Sequence, residues 1–283
     1  MSSNPGEILI EITEMLKSGE QMLPGLPDIA LRVRKAIAKE NADIMVISKI
    51  IQSDIPLTAR LIQIANSPMY RGVKPVDDCH KAITRLGLDV TKNLVTSFAL
   101  RRAFTARSAP TRKRVEQLWK HSVQVASIAF ILARITPKLH PDHAMLAALI
   151  HDVGVLPLLG YLERRADLLK DPEAIFRMER ELRVALGKLV LSNWRFDTEF
   201  VDVIEAAEDW YRDPVETPDY GDVVLVSQIH AAFGKPEAEE LPSLEELPAM
   251  GKFPVFKLGP GASMELLAEA KDEMKELQHL LAN

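Results

Sequence analysis

The sequence predicts an all-α protein: two helical lobes, then an irregular Pro-rich segment and a C-terminal helix. Three observations carry this reading. Nearly every long segment spaces its apolar residues three and four apart, the period of an amphipathic helix. Capping residues and glycines punctuate those segments at helix-like lengths. No run alternates apolar with polar residues as a half-buried strand does. Aromatic residues make up only 6% of a chain that is 47% hydrophobic, so the apolar content is largely aliphatic and suits helices.

The elements follow in order. In PDIALRVRKAIAKE, Ile29, Val33 and Ile37 recur every fourth residue, and Pro27 is a good helix-start residue. ADIMVISKIIQSD has Asp43 as its N-cap and Val46, Ile47, Ile50 and Ile51 on one face. IPLTARLIQIAN continues the pattern through Leu57, Leu61, Ile64 and Ala65 until Asn66-Ser67-Pro68 breaks it. CHKAITRLG is a short helix stopped at Gly87, which suits the left-handed position past a helix end. Asp89 then caps DVTKNLVTSFALRRAF.

RSAPTRKR reads as a polar connector with a local basic cluster, and the two lobes divide there. EQLWKHSVQVASIAFILARI is a long, very apolar helix. DHAMLAALIHDV follows Pro141, with Gly154 and Pro157 marking its end or a bend. YLERRADLL and PEAIFRMERELRVALGKLVLSNW are two more helices, and EFVDVIEAAEDWY and DVVLVSQIHAAF complete the bundle. The last is rich in valine, but its length and its alanines favour helix. From Lys235 to Gly261 the chain is dense in Pro, Glu and Gly and reads as a wrapping loop. SMELLAEAKDEMKELQHLL closes the chain, with Met264, Leu267, Ala270, Met274, Leu277 and Leu281 as a stripe that docks on the bundle or on a partner. The domains are therefore residues 1–106, an N-terminal helical lobe; 107–234, a second helical lobe; and 235–283, an irregular tail plus an amphipathic helix.

Composition narrows the function. With 40 Asp+Glu against 35 Lys+Arg, the surface as a whole does not attract nucleic acid or anionic lipid. Cys79 is the single cysteine, so no internal disulfide forms, and a reducing cytoplasm is the natural compartment. The start, MSSNPGEILIEI, lacks the basic and apolar regions of a signal peptide. No stretch is expected to be apolar for long enough to span a bilayer.

Three clusters could carry chemistry. His121 lies on one long helix and His151-Asp152 on the next, inside the oily LAALIHDVGVLPLL. A charge there costs several kcal/mol, roughly, unless it is paired, hydrogen-bonded or metal-bound. Facing helices of a bundle build metal sites from such side chains, and two imidazoles with a carboxylate suit a first-row divalent ion. A hydrogen-bonded His-Asp cluster at a helix end is the alternative. His140-Pro141-Asp142-His143 reads as a structural turn, with Asp142 as N-cap. Cys79-His80 points two ways on a helix and makes no nucleophile-base pair. Phosphate-binding glycine loops, the GxSxG elbow and CxxC pairs are missing from the sequence.

In their order and spacing, LPGLPDIALRV, DIMVISKIIQSDIPLTARLIQIANSPMY, KAITRLGLDVTKNLV, LWKHSVQVA and LAALIHDVG resemble the HD-related output domain, HDOD. This is a bacterial signalling module related to the HD-superfamily metal-dependent phosphohydrolases, and the resemblance runs from about Met22 to Phe233. It implies a helical domain of the HDOD/HD type. It also places His121, His151 and Asp152 at the superfamily's metal positions, as the remnant of a metal site or the ligands of a single divalent ion. The superfamily's later aspartate should fall in VVLVSQIHAAF, where the register offers His230 instead. Relatives carry histidine where this chain has Arg183, a histidine pair where it reads IEAAEDW, and, in the cousins that cleave cyclic dinucleotides, lysine where it has Val155. Two dications need several anionic ligands, and an inward Arg183 would repel them.

The resemblance therefore implies a non-catalytic signal-transduction output or scaffold module in the bacterial cytoplasm. It would act through a signalling protein on a separate chain or a small ligand in the cleft between the lobes, with no membrane and no assured cofactor. The alternative is a metal-dependent phosphohydrolase acting on a nucleotide or phosphodiester. Nucleic-acid binding through Arg101, Arg102, Arg107, Arg112, Lys113 and Arg114 is the weakest of the three.

Overall fold

A computed structural model describes residues 4–18, 24–106, 108–165, 168, 171–235, 238–239, 241–253 and 261–282. Among them every regular element is helical. The helices are α1 (Pro5–Lys17), α2 (Asp28–Ile37), α3 (Ile44–Gln52), α4 (Ile55–Asn66), α5 (Cys79–Leu86), α6 (Leu88–Leu100), α7 (Ala109–Arg134), α8 (Pro141–Ile150) and α9 (Val155–Leu162). They continue as α10 (Pro172–Asn193), α11 (Thr198–Ala206), α12 (Tyr220–Ala232), α13 (Pro248–Lys252), α14 (Gly261–Glu269) and α15 (Lys271–Ala282).

The chain forms two compact units, residues 26–103 with 279–283, and residues 1–25 with 104–278. In the first, side-chain caps set the helix starts. Asp43 accepts the Met45 N–H at 2.8 Å, Asp54 that of Leu57 at 3.1 Å, and Asp78 that of Lys81 at 2.8 Å, each satisfying an otherwise orphaned donor. Gly87 adopts φ +81°, a conformation that glycine takes without a side-chain clash. It ends α5 and opens α6, so Asp89 lies in the first turn of α6 and is not its cap. Ile47, Ile51, Leu61, Ile64, Ile83 and Leu94 are fully buried here. Val46, expected on the buried face of α3, is 46% exposed.

In the second unit α7 packs against α8 and α12, α9 against α10, and α11 against α12, with α13 on α12. Every residue of α12 is buried. Its start is held by Asp219 and Asp222, whose side chains each accept the other's backbone N–H, and by Arg212, which bonds both carboxylates.

This arrangement corrects several expectations. Residues 1–106 do not form one lobe: α1 packs on α9 and α10, burying Ile8 and Ile12, and the Trp194 indole donates to the Pro24 carbonyl at 2.7 Å. The tail up to Gln278 groups with the same unit, where Phe253 is fully buried. RSAPTRKR is mostly the start of α7, capped at Ser108; residue 107 lies outside the described residues. Among the described residues of YLERRADLL, Tyr161 and Leu162 are α-helical, as the end of α9, and residues 166–167 and 169–170 lie outside the described set. So do 254–260 of the Pro-rich segment. The C-terminal stripe is divided between α14 and α15 at Ala270, and Met264 is 44% exposed. Finally, Pro141–Leu162 is long and apolar enough to pass for a membrane span, against expectation, but its apolar window is 94% buried.

Candidate functional site

On α7, Arg114, Gln117, His121 and Gln124 recur at helical spacing, and all four line one cavity. α8 ends at Ile150, His151 is its C-cap, and Asp152 follows in the turn to α9. Gly154 in that turn explains how α10 joins the site. A Cβ there would lie 1.9 Å from the Arg183 carbonyl oxygen and 2.5 Å from the Gly187 nitrogen. Lacking one, the turn seats directly on the α10 backbone and brings Arg183 to Asp152.

The ring of His151 is oriented by its Nδ1, 2.6 Å from the Ala148 carbonyl. Nδ1 can only donate to that oxygen, which leaves Nε2 facing Asp152 Oδ2 at 3.3 Å. His121 Nε2 lies 3.8 Å from the same oxygen, and the two imidazole centroids are 5.3 Å apart. The ligand atoms of His121, His151 and Asp152 all fall within 4.8 Å of one another. The expected juxtaposition of these three residues is therefore present.

The other oxygen of Asp152 is already engaged. Arg183 Nη1 donates to Oδ1 at 3.0 Å and lies 3.1 Å from Glu208 Oε1. Behind it, Arg114 Nε donates to Glu179 Oε1 at 2.9 Å, and its Nη2 bonds the second oxygen. Three carboxylates thus meet two guanidiniums. Burial alone would raise the Asp152 pKa, but His151 and Arg183 overcome it and hold the carboxyl well below its usual range. Burial likewise disfavours the His151 cation, and Asp152 reverses the balance, raising its pKa. His121 is pushed down to about 4, by desolvation first and the neighbouring His151 second, so it is neutral at pH 7. Glu208 is raised by burial in spite of Arg183.

The adjoining cavity has a volume of about 900 Å³ and is lined wholly by residues between Arg114 and Leu241. Phe176 and Trp210 supply aromatic surface, and Lys120, Arg180 and Lys235 supply cations. From α12 it receives Gln228, Ala231 and Ala232, none of them a carboxylate.

His230 does not join the site. Its Nδ1 lies 2.8 Å from the Val226 carbonyl and its Nε2 2.9 Å from Ser263 Oγ, so both nitrogens are engaged and it ties α12 to α14. The other candidates are structural. Asp142 lies in the first turn of α8, and the N-cap is His140. His143 is stacked between Phe200 and Tyr220, at 4.1 and 4.2 Å. Cys79 is buried against the Ser48 carbonyl, and burial pushes its thiol pKa up. Of the basic cluster, Arg102 pairs with Asp54 and Arg114 with Glu179, and Arg107 lies outside the described residues. Arg114, Glu179, Glu208 and Gly154 were not singled out for this site from the sequence. Arg114 and Glu179 had a signal, since each shares a helix face with a site residue, His121 on α7 and Arg183 on α10.

The donor set does not fit a binuclear metal centre. Among the described residues Asp152 is the only carboxylate grouped with both imidazoles, and one of its oxygens is bonded to a guanidinium. At an effective dielectric of about 20, a dication about 4 Å from Arg183 would meet a repulsion of roughly 8 kcal/mol.

Comparison with known proteins gives three results. The HDOD domain family pattern matches residues 23–210. The fold is similar to a solved Shewanella amazonensis SB2B protein whose name assigns it, provisionally, to the metal-dependent phosphohydrolases. The identity is 26%, the TM-score 0.78, and the coverage 96% of this chain and 100% of that one. It is also similar to a Geobacter sulfurreducens HDOD domain protein of unknown function, with TM-score 0.64 and 24% identity, covering 97% of each chain. A curated Treponema pallidum (strain Nichols) protein, itself uncharacterized, is 27% identical over 137 residues; that match takes in 47% of this chain and spans a quarter of that protein's length.

Proposed function

The chain belongs to the HDOD domain family, and from that premise we propose that it is a non-catalytic signal-transduction module of the bacterial cytoplasm. It acts by binding a partner protein, or a small ligand in the 900 Å³ cavity beside His121. Arg183 carries this reading. Its Nη1 atom bridges Asp152 and Glu208, at 3.0 and 3.1 Å. A guanidinium there supplies the positive charge that these carboxylates need, and unlike a metal it activates no water. The histidines then serve as polar packing at the end of α8.

The second reading, a metal-dependent phosphohydrolase, is favoured by one observation, the mutual approach of the His121, His151 and Asp152 ligand atoms within 4.8 Å. Metal content measured on protein purified without chelator, with a phosphomonoesterase and phosphodiesterase screen in added manganese, separates the two. The proposal expects neither bound metal nor turnover. Stoichiometric metal and turnover that His151→Ala removes together would establish the enzyme.

A further inference from the structure

A second charged pocket lies in the unit formed by residues 26–103. It has a volume of about 140 Å³, an apolar floor that includes Leu57 and Phe98, and a rim of three arginines, Arg60, Arg101 and Arg102. That is room for a tetrahedral oxyanion.

Two of the arginines have ordinary explanations. Arg101 is the C-cap of α6, where a helix end favours a cation. Arg102 pairs with Asp54 at 2.6 Å. Arg60, on α4, has no such account, because among the described residues it makes no hydrogen bond and no ion pair. Among the described residues Asp54 is the only carboxylate lining the pocket, and both its oxygens are engaged. One accepts the Leu57 N–H at 3.1 Å and the other holds Arg102. Arg60, with no partner of its own among the described residues, therefore faces a pocket whose described carboxylate is already engaged. Burial, and then Arg102, lower the pKa of Arg60 from its ordinary value against the opposing pull of Asp54, as expected when like charges lie close together.

We propose that the pocket rimmed by Arg60, Arg101 and Arg102 binds a phosphomonoester dianion. Its negative charge complements Arg60, and its tetrahedral oxygens match the planar donor forks of arginine. The phosphoryl group could come from a free metabolite or from a phosphorylated side chain, since both present the same terminal oxygens. The inference does not depend on the reading of His121 and His151-Asp152, which belong to the other unit.

The test is calorimetric titration of the full chain with inorganic phosphate, acetate serving as the control at matched ionic strength. One phosphate should bind per chain, and acetate should not. Losing one charge-assisted contact should weaken binding by roughly tenfold or more in Arg60→Gln. Arg60→Lys, which keeps the charge but not the fork, should fall between. Lys49→Gln, exposed on α3 and outside the pocket, should bind phosphate like the parent. Because Arg60 makes no hydrogen bond and no ion pair among the described residues, its variants should keep the parent's circular dichroism and melting temperature, so lost binding cannot be put down to unfolding. A phosphoserine peptide that binds tighter than inorganic phosphate identifies a phosphorylated side chain as the source; equal or weaker binding identifies a free anion. Failure of phosphate to saturate the parent, or equal binding by Arg60→Gln, overturns the proposal.

Discussion

Replacing Arg183 by alanine isolates what holds the buried acid cluster together. The substitution removes a guanidinium that lies 3.0 Å from Asp152 and 3.1 Å from Glu208. These side chains are only 8% and 24% exposed, so water replaces the lost partner poorly. Breaking a buried pair costs about 3–5 kcal/mol; partial exposure of Glu208 and of Arg183 itself points to the lower end, about 3 kcal/mol. Urea unfolding followed by tryptophan fluorescence reads this directly, since Trp119, Trp194 and Trp210 all lie in the same unit as Arg183. A second effect should accompany the first. With the guanidinium gone, Asp152 and the two imidazoles form a vacant three-donor set, so manganese should stabilise the variant, by about 2.7 kcal/mol at a hundred times its dissociation constant. The parent should not respond. A variant within about 0.5 kcal/mol of the parent, or a parent that manganese stabilises equally, would refute the reasoning.

Four further predictions follow from the fold. Gly154→Ala should cost about 1–3 kcal/mol or more, because its Cβ would meet the α10 backbone. Gly251→Ala in α13, where an added Cβ meets nothing within 4 Å, should be neutral or slightly stabilising in the same urea assay. Asp219 has a lowered pKa: burial opposes its charge, but the hydrogen bond from Arg212 outweighs it. Its contribution is therefore complete above the unfolded carboxyl value of about 3.9 and is lost as pH falls through the lower folded value. The stability gap between the parent and Asp219→Asn should hold constant at neutral pH and close below pH 4, roughly. Cys79, buried and with its thiol pKa raised, should react slowly with a chromogenic disulfide in the folded protein and rapidly in urea; equal rates would show that the packing of α5 against α3 is wrong.

Much of the helix pattern was legible because it is local. Asp43 and Gly87 announce their own boundaries, and Leu57, Leu61, Ile64 and Ala65 announce a face. The approach of His121 to His151-Asp152 was legible for a similar reason, since consecutive long helices pack side by side. His230 was misplaced because α12 is buried on every side, so no polar face fixes which residues turn toward the site. Arg183 and Glu208 meet Asp152 from positions far along the chain, and nothing local to either marks the meeting. The grouping of α1 with α9 and α10 was invisible for the same reason. Gly154 was visible only as the end of a helix, whereas its larger consequence is the closeness of α10.

The most direct test of an ion-paired, non-hydrolytic cluster is an anomalous difference map from crystals grown in manganese. The account expects no manganese peak at Asp152, with Arg183 density still in contact with its carboxylate. A full-occupancy peak bonded to Asp152, and above all a pair of peaks bridged by a water, would contradict it.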